Sequence, residues 1–99
     1  MRTSLAAAIG LVSIAAAVIA SPASGQPPPG AAACSGCHPA SARVDTPVVR
    51  LAGLERDAIV RALQEFRSGQ RAGTIMDRIA KGFTDEEIQA IAAWYATQR

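Results

Sequence analysis

The chain has 99 residues, which is enough for one domain at most. It is 49% hydrophobic but only 4% aromatic, and its 10 Lys and Arg nearly balance its 8 Asp and Glu, which excludes the strongly basic surface of a nucleic-acid binder. The charges are unevenly placed: none lies between Thr3 and Ala42, and every acidic residue and all but one basic residue fall within 43–99. A targeting segment followed by a small domain has this layout; a uniform globular chain does not.

The first segment reads as a secretory signal peptide over 1–23. Arg2 is a short positive start, Leu5 to Ala20 is an apolar run, and the small residues Ala20, Ser21, Ala23, Ser24 and Gly25 follow. Cleavage after Ala20, Ala23 or Gly25 fits equally. An uncleaved membrane anchor is the weaker reading, because the run is short of the ~20 residues a spanning helix needs and meets Pro22 at once. Export places the remainder in the periplasm. Residues 24–33, with Pro27-Pro28-Pro29-Gly30, are then a flexible Pro-rich leader, and 34–99 are the domain.

A domain this small has a thin core, with Phe66, Phe83, Trp94 and Tyr95 as its aromatic residues. Such domains need a staple: disulfides, a metal or a large apolar cofactor. A Cys34–Cys37 disulfide closes too short a loop to add much stability. The run Cys34-Ser35-Gly36-Cys37-His38 supplies another staple, the C-x-x-C-H attachment site of a c-type haem. Two thiols at this spacing can each add to one haem vinyl group. The next residue, His38, then reaches the iron from the proximal side. A thioredoxin-like pair needs a preceding strand and a βαβ pattern, which are missing. A structural zinc site needs four ligands, whereas the chain has two Cys and one His in total.

With no second histidine, the sixth iron ligand must be of another kind. Met1 leaves with the signal peptide, so Met76 is the remaining methionine and the expected distal ligand. Lys81 or an open position are the alternatives. A thioether favours ferrous iron and raises the potential, which suits electron transfer better than oxygen chemistry.

The pattern around these residues is all helical. A first helix is expected over 30–41, carrying Cys34 to His38. A second is expected over 54–68, with Ile59, Ala62, Leu63 and Phe66 as one buried stripe and Gly69 as its stop. Residues 70–74 form the loop that delivers Met76, and a short helix over 75–81 ends at Gly82. Thr84 and Glu87 form a capping box for the last helix, whose Ile88, Ile91, Ala92 and Tyr95 recur at helical spacing. Nothing alternates like a strand for a useful length, and the glycines do not form a phosphate-binding G-x-G-x-x-G.

From Cys34 to Arg99 the chain resembles the class I c-type cytochromes. The resemblance rests on Cys34-Ser-Gly-Cys-His38, Leu51-Ala52-Gly53, Phe66-Arg67-Ser68-Gly69-x-Arg71, Met76 with Ile79-Ala80, and Ile91-Ala-Ala-Trp94-Tyr95. The last pieces are most similar to the small haem subunits of flavocytochrome c sulfide dehydrogenases and related small periplasmic cytochromes. The resemblance implies a single-haem fold of about four helices wrapped round a covalent haem c. It implies Cys34 and Cys37 as the thioether links, His38 as proximal and Met76 as distal ligand. It places Arg71 near a haem propionate, with a solvated loop charge as the alternative reading, and packs Trp94 against the first helix near Ala31–Ala33. Two departures stand out. Val49 occupies a position where the family often has a proline whose carbonyl accepts the proximal histidine N–H, a bond a valine carbonyl can also accept. Pro39 follows His38 where glycine is common, and is expected to end the first helix early.

The implied function is electron transfer in the bacterial periplasm by a protein that is not itself an enzyme. Two forms are open: the haem subunit of a sulfide-oxidising flavocytochrome, with a flavoprotein partner, or a free shuttle between redox proteins. A catalytic or gas-binding haem is the contrasting class, and Met76 argues against it.

Overall fold

The computed structural model describes residues 25–99, so the expected signal segment over 1–23 lies outside the described residues. Among those residues there are four α-helices and no strand: α1 (Ala31–Cys34), α2 (Arg56–Ser68), α3 (Met76–Ala80) and α4 (Asp85–Thr97). The all-α class read from the sequence stands.

Each boundary has a local cause. Helix α2 starts two residues later than its apolar pattern, because Leu54 N–H closes a turn onto Leu51 O at 3.1 Å and Glu55 keeps an extended backbone as N-cap. It stops at Gly69, whose left-handed φ of 83° lets its N–H turn back to Phe66 O. Helix α4 opens on the expected capping box: Glu87 N–H donates to Thr84 Oγ1 at 3.2 Å and Thr84 N–H donates to Glu87 Oε2 at 2.8 Å.

The first helix departs from the expected 30–41. It holds only Ala31–Cys34 and passes into a tight turn, with Cys37 N–H donating to Cys34 O at 3.2 Å and His38 N–H to the same oxygen at 2.9 Å. Pro39 has no N–H to carry the ladder on, so the helical turn ends at the histidine. The packed body also starts ahead of Cys34, since Ala31 is fully buried.

The core joins Ala31, Ile59 and Val60 to Ile88, Ile91, Ala92 and Tyr95, with Leu63, Phe83 and Trp94 packed on its edge. All four stripe residues of α4 are buried. On α2 the expected stripe divides. Ile59 is buried, Val60 beside the stripe is buried too, and Ala62, Leu63 and Phe66 are only half-buried. Helix α2 packs against both α3 and α4. Tyr95 ties three segments together: its hydroxyl donates to Ala31 O at 2.7 Å, its carbonyl accepts from Gly53 N–H at 3.1 Å, and its ring meets Trp94 edge-on. Trp94 packs on the core that contains Ala31, but the hydrogen bond to α1 is made by its neighbour.

The N-terminal turn depends on one close approach. Gly30 has φ 87°, and a Cβ there would lie 2.5 Å from the Phe83 ring and 3.3 Å from Ile91. Gly30→Ala therefore combines backbone strain with overpacking and should cost about 2 kcal/mol. The readout is the denaturation midpoint of the haem-loaded protein; an unchanged midpoint would mean that Phe83 gives way freely.

Candidate functional site

The half-buried face of α2 looks into a cavity of about 430 Å³, a size typical of ligand and cofactor sites. Its wall is apolar apart from His38, Arg61 and Arg71. Leu54 and Ile79, each 37% exposed, and Val49, 56% exposed, all line it, so apolar side chains left out of the protein core gather on one concave surface.

The structure brings Cys34, His38, Arg71 and Met76 to this cavity from three segments. Cys34 ends α1, half-buried, with its thiol donating to Gly30 O at 3.7 Å. Burial pushes this thiol above its ordinary value, against the opposing pull of the backbone hydrogen bond and of Tyr95. Cys37 is exposed and is not part of the cavity lining. His38 Nδ1 donates to Val49 O at 2.5 Å, the carbonyl expected from the departure at that position. A carbonyl only accepts, so Nδ1 carries the proton and Nε2 keeps the lone pair that a metal needs.

Met76 is the first residue of α3 and is held there by the loop before it. Gly73 packs on Phe66 so closely that a Cβ would lie 2.9 Å from the ring. Arg71 clamps the same loop: Nε and Nη2 donate to Glu65 Oε2 at 2.8 and 2.6 Å, and its N–H donates to Glu65 O at 3.1 Å. Its guanidinium carbon also lies 5.4 Å from the centre of the Phe66 ring. Arg71 thus lines the cavity with its charge already paired. Lys81, the alternative ligand, follows α3 and does not line the cavity.

The cations that bracket Met76 in sequence, Arg67, Arg71, Arg78 and Lys81, differ in their pairing. Arg67 is bound to Asp85 and to Phe83 O, and Arg71 to Glu65, whereas Arg78 and Lys81 make no ion pair among the described residues. Sequence reasoning missed Arg61, the other cation on the cavity wall, although its spacing from Ala58 and Ala62 puts it beside the lining face of α2.

A thiol, an imidazole in the metal-binding tautomer and a thioether on one large apolar cavity fit a covalently attached c-type haem. That donor set on an all-helical frame defines a c-type haem protein. No protein-family model matches the chain. Individual relatives do. The cytochrome subunit of sulfide dehydrogenase from Chlorobaculum tepidum is 37% identical over 62 residues, covering 63% of this chain and 56% of that protein. The thiosulfate dehydrogenase electron acceptor of Stutzerimonas stutzeri is 42% identical over 67 residues, covering 66% of this chain and 31% of its own length. Cytochrome c-554(548) of Halomonas halodenitrificans is 32% identical over 69 residues, 66% of this chain and 83% of that cytochrome. The chain belongs to the small c-type cytochromes, electron-transfer proteins that carry covalent haem c and are not themselves enzymes. It spans about half the length of the sulfide dehydrogenase subunit and about a third of the thiosulfate dehydrogenase acceptor.

The Glu65–Arg71 clamp is partly exposed, so Glu65→Gln should cost under ~1 kcal/mol of global stability. Its effect should instead be local, with amide hydrogen exchange of residues 70–75 accelerating while that of α4 holds steady. Equal exchange in both proteins would show that the ion pair does not restrain the loop.

Proposed function

We propose that this chain carries electrons in the periplasm through one haem held by Cys34, Cys37, His38 and Met76, as the haem subunit of a sulfide-oxidising flavocytochrome. The observation that carries the reading is the convergence of Cys34, His38 and Met76 on one apolar cavity, with His38 Nδ1 committed to Val49 O. The similarity to a cytochrome subunit of sulfide dehydrogenase supports the subunit role; the flavoprotein partner is what the resemblance of the closing residues implies. The export-type N-terminal pattern supports the location, and among the described residues no helix is long and apolar enough to cross a membrane.

When bound, the haem supplies an iron that gains and loses one electron. The residues of the chain do the rest. Cys34 and Cys37 would anchor the group covalently, and His38 would hold its iron through Nε2. Met76 would hold it through its thioether, which favours the ferrous state and raises the potential. Leu54, Leu63 and Phe66 exclude water from the site, which also favours the less charged state. Arg71 acts as loop clamp and cavity cation together. A free shuttle is the second reading, favoured by the match to an electron acceptor and to a cytochrome covered over 83% of its length.

Met76→Ala should leave the haem attached, lower the reduction potential, open the iron to carbon monoxide and abolish the iron–thioether absorption band. Persistence of that band would remove Met76 as ligand. His38→Ala should lose most attached haem, because ligation and attachment geometry fail together.

Salt separates the two partner readings. A permanent subunit receives electrons within a complex, so its first-order rate in stopped-flow mixing should ignore ionic strength. A shuttle must find its partner, so its second-order rate should fall as salt rises, and Arg78→Glu should flatten that dependence.

A further inference from the structure

The loop between His38 and Leu51 contains no helix, and its other hydrogen bonds among the described residues are short-range. Arg43 N–H reaches Ser41 Oγ, Val44 N–H reaches Ser41 O, and Val48 N–H reaches Thr46 Oγ1. Two bonds alone cross from one side of the loop to the other. One is His38 Nδ1–H to Val49 O; the other runs from Arg50 Nε–H to Ala40 O at 3.1 Å. They come from adjacent residues on one side and land two residues apart on the other.

This arrangement matters because of what Val49 lacks. The chain leaves Val49 56% exposed on the cavity wall, so no packing within the protein anchors it. Its carbonyl oxygen and the Arg50 N–H belong to one rigid peptide plane. Holding Arg50 to Ala40 therefore restrains the plane whose oxygen receives the His38 proton. We propose that Arg50 is a positioning residue for the proximal ligand: its Nε–H···O bond to Ala40 fixes the Val49 carbonyl, and so the orientation and electron-donating strength of the His38 imidazole. This rests on the reading of His38 as iron ligand given above. A firm Nδ1–H···O bond makes an imidazole a better donor and stabilises the ferric state. Loss of the clasp then raises the reduction potential without removing any ligand.

Two substitutions in the haem-loaded protein separate the bond from the charge. Glutamine carries an N–H donor on the same Cδ atom that bears Arg Nε, so Arg50→Gln keeps the donor and deletes the charge. Arg50→Met keeps the length of the stem and deletes both. The expected result for Arg50→Met is a raised potential and roughly fivefold faster exchange of the His38 Nδ1 proton in nuclear magnetic resonance, the factor that one net hydrogen bond provides. Arg50→Gln should stay close to the parent in both. Equal shifts in the two variants would assign the effect to charge, and no shift in either would leave the clasp without influence; both overturn the proposal. The parent protein gives an independent check if Arg50→Met yields no holoprotein. Its own Arg50 Nε–H should exchange more slowly than a free guanidinium, and exchange at the free rate overturns the clasp. Ring protons of His38 without iron-induced shifts in the ferric parent would instead overturn the ligand reading itself.

Discussion

The attachment of α1 to the end of α4 is the constraint from which the rest of the molecule follows. Ala31 is fully buried and its carbonyl is taken by the Tyr95 hydroxyl, so the short N-terminal helix is pinned to the last turn of α4, 64 residues further along the chain. The phenol pays for its burial with that bond, and burial in turn pushes its pKa up, with Cys34 adding to the effect. Because the Tyr95 carbonyl also holds Gly53, the same residue fixes both where the Cys34–His38 turn begins and where the chain enters α2. Both segments supply cavity wall, Cys34 and His38 from one and Leu51 and Leu54 from the other.

Helix α2 serves two environments at once. Ile59 and Val60 belong to the protein core, while Ala62, Leu63 and Phe66 are left half-buried on the cavity wall. A protein of this length has few apolar residues to spend on a core, and here a large share faces the cofactor site instead. That division explains why so small a chain can be all-helical without a larger set of aromatic residues: the bound group acts as the missing part of its interior.

Local chemistry made some of this legible in the sequence. The capping box of Thr84 and Glu87, the Gly69 stop and the four buried positions of α4 follow from short-range spacing, and each appears as expected. The C-x-x-C-H run is equally local. Other features were hidden because their causes are not. The first helix is shorter than the expected 30–41, since a tight turn and the missing N–H of Pro39 end it. The pairing of Arg71 with Glu65 joins residues on a helix and a loop at no helical repeat. Ala40 and Arg50 carry no pattern that forecasts their bond, because it exists only once the loop has closed. The stripe expected on α2 divides, with Ile59 in the core and Ala62, Leu63 and Phe66 half-buried, because spacing alone does not say whether a side chain meets protein or cofactor.

Trp94 is the sole tryptophan of the chain, and its indole N–H is buried without a partner among the described residues. Its ring stands edge-on to Tyr95 with centroids 4.8 Å apart. The molecule therefore carries one tryptophan reporter, placed by the fold on α4 at the edge of the core. Its emission follows a single environment, and any loosening of that packing registers as a change in colour from one known place. Haem in the neighbouring cavity would darken that emission by taking up the excitation. Fluorescence thus distinguishes a chain that has closed around its cofactor from one that has folded its helices without it.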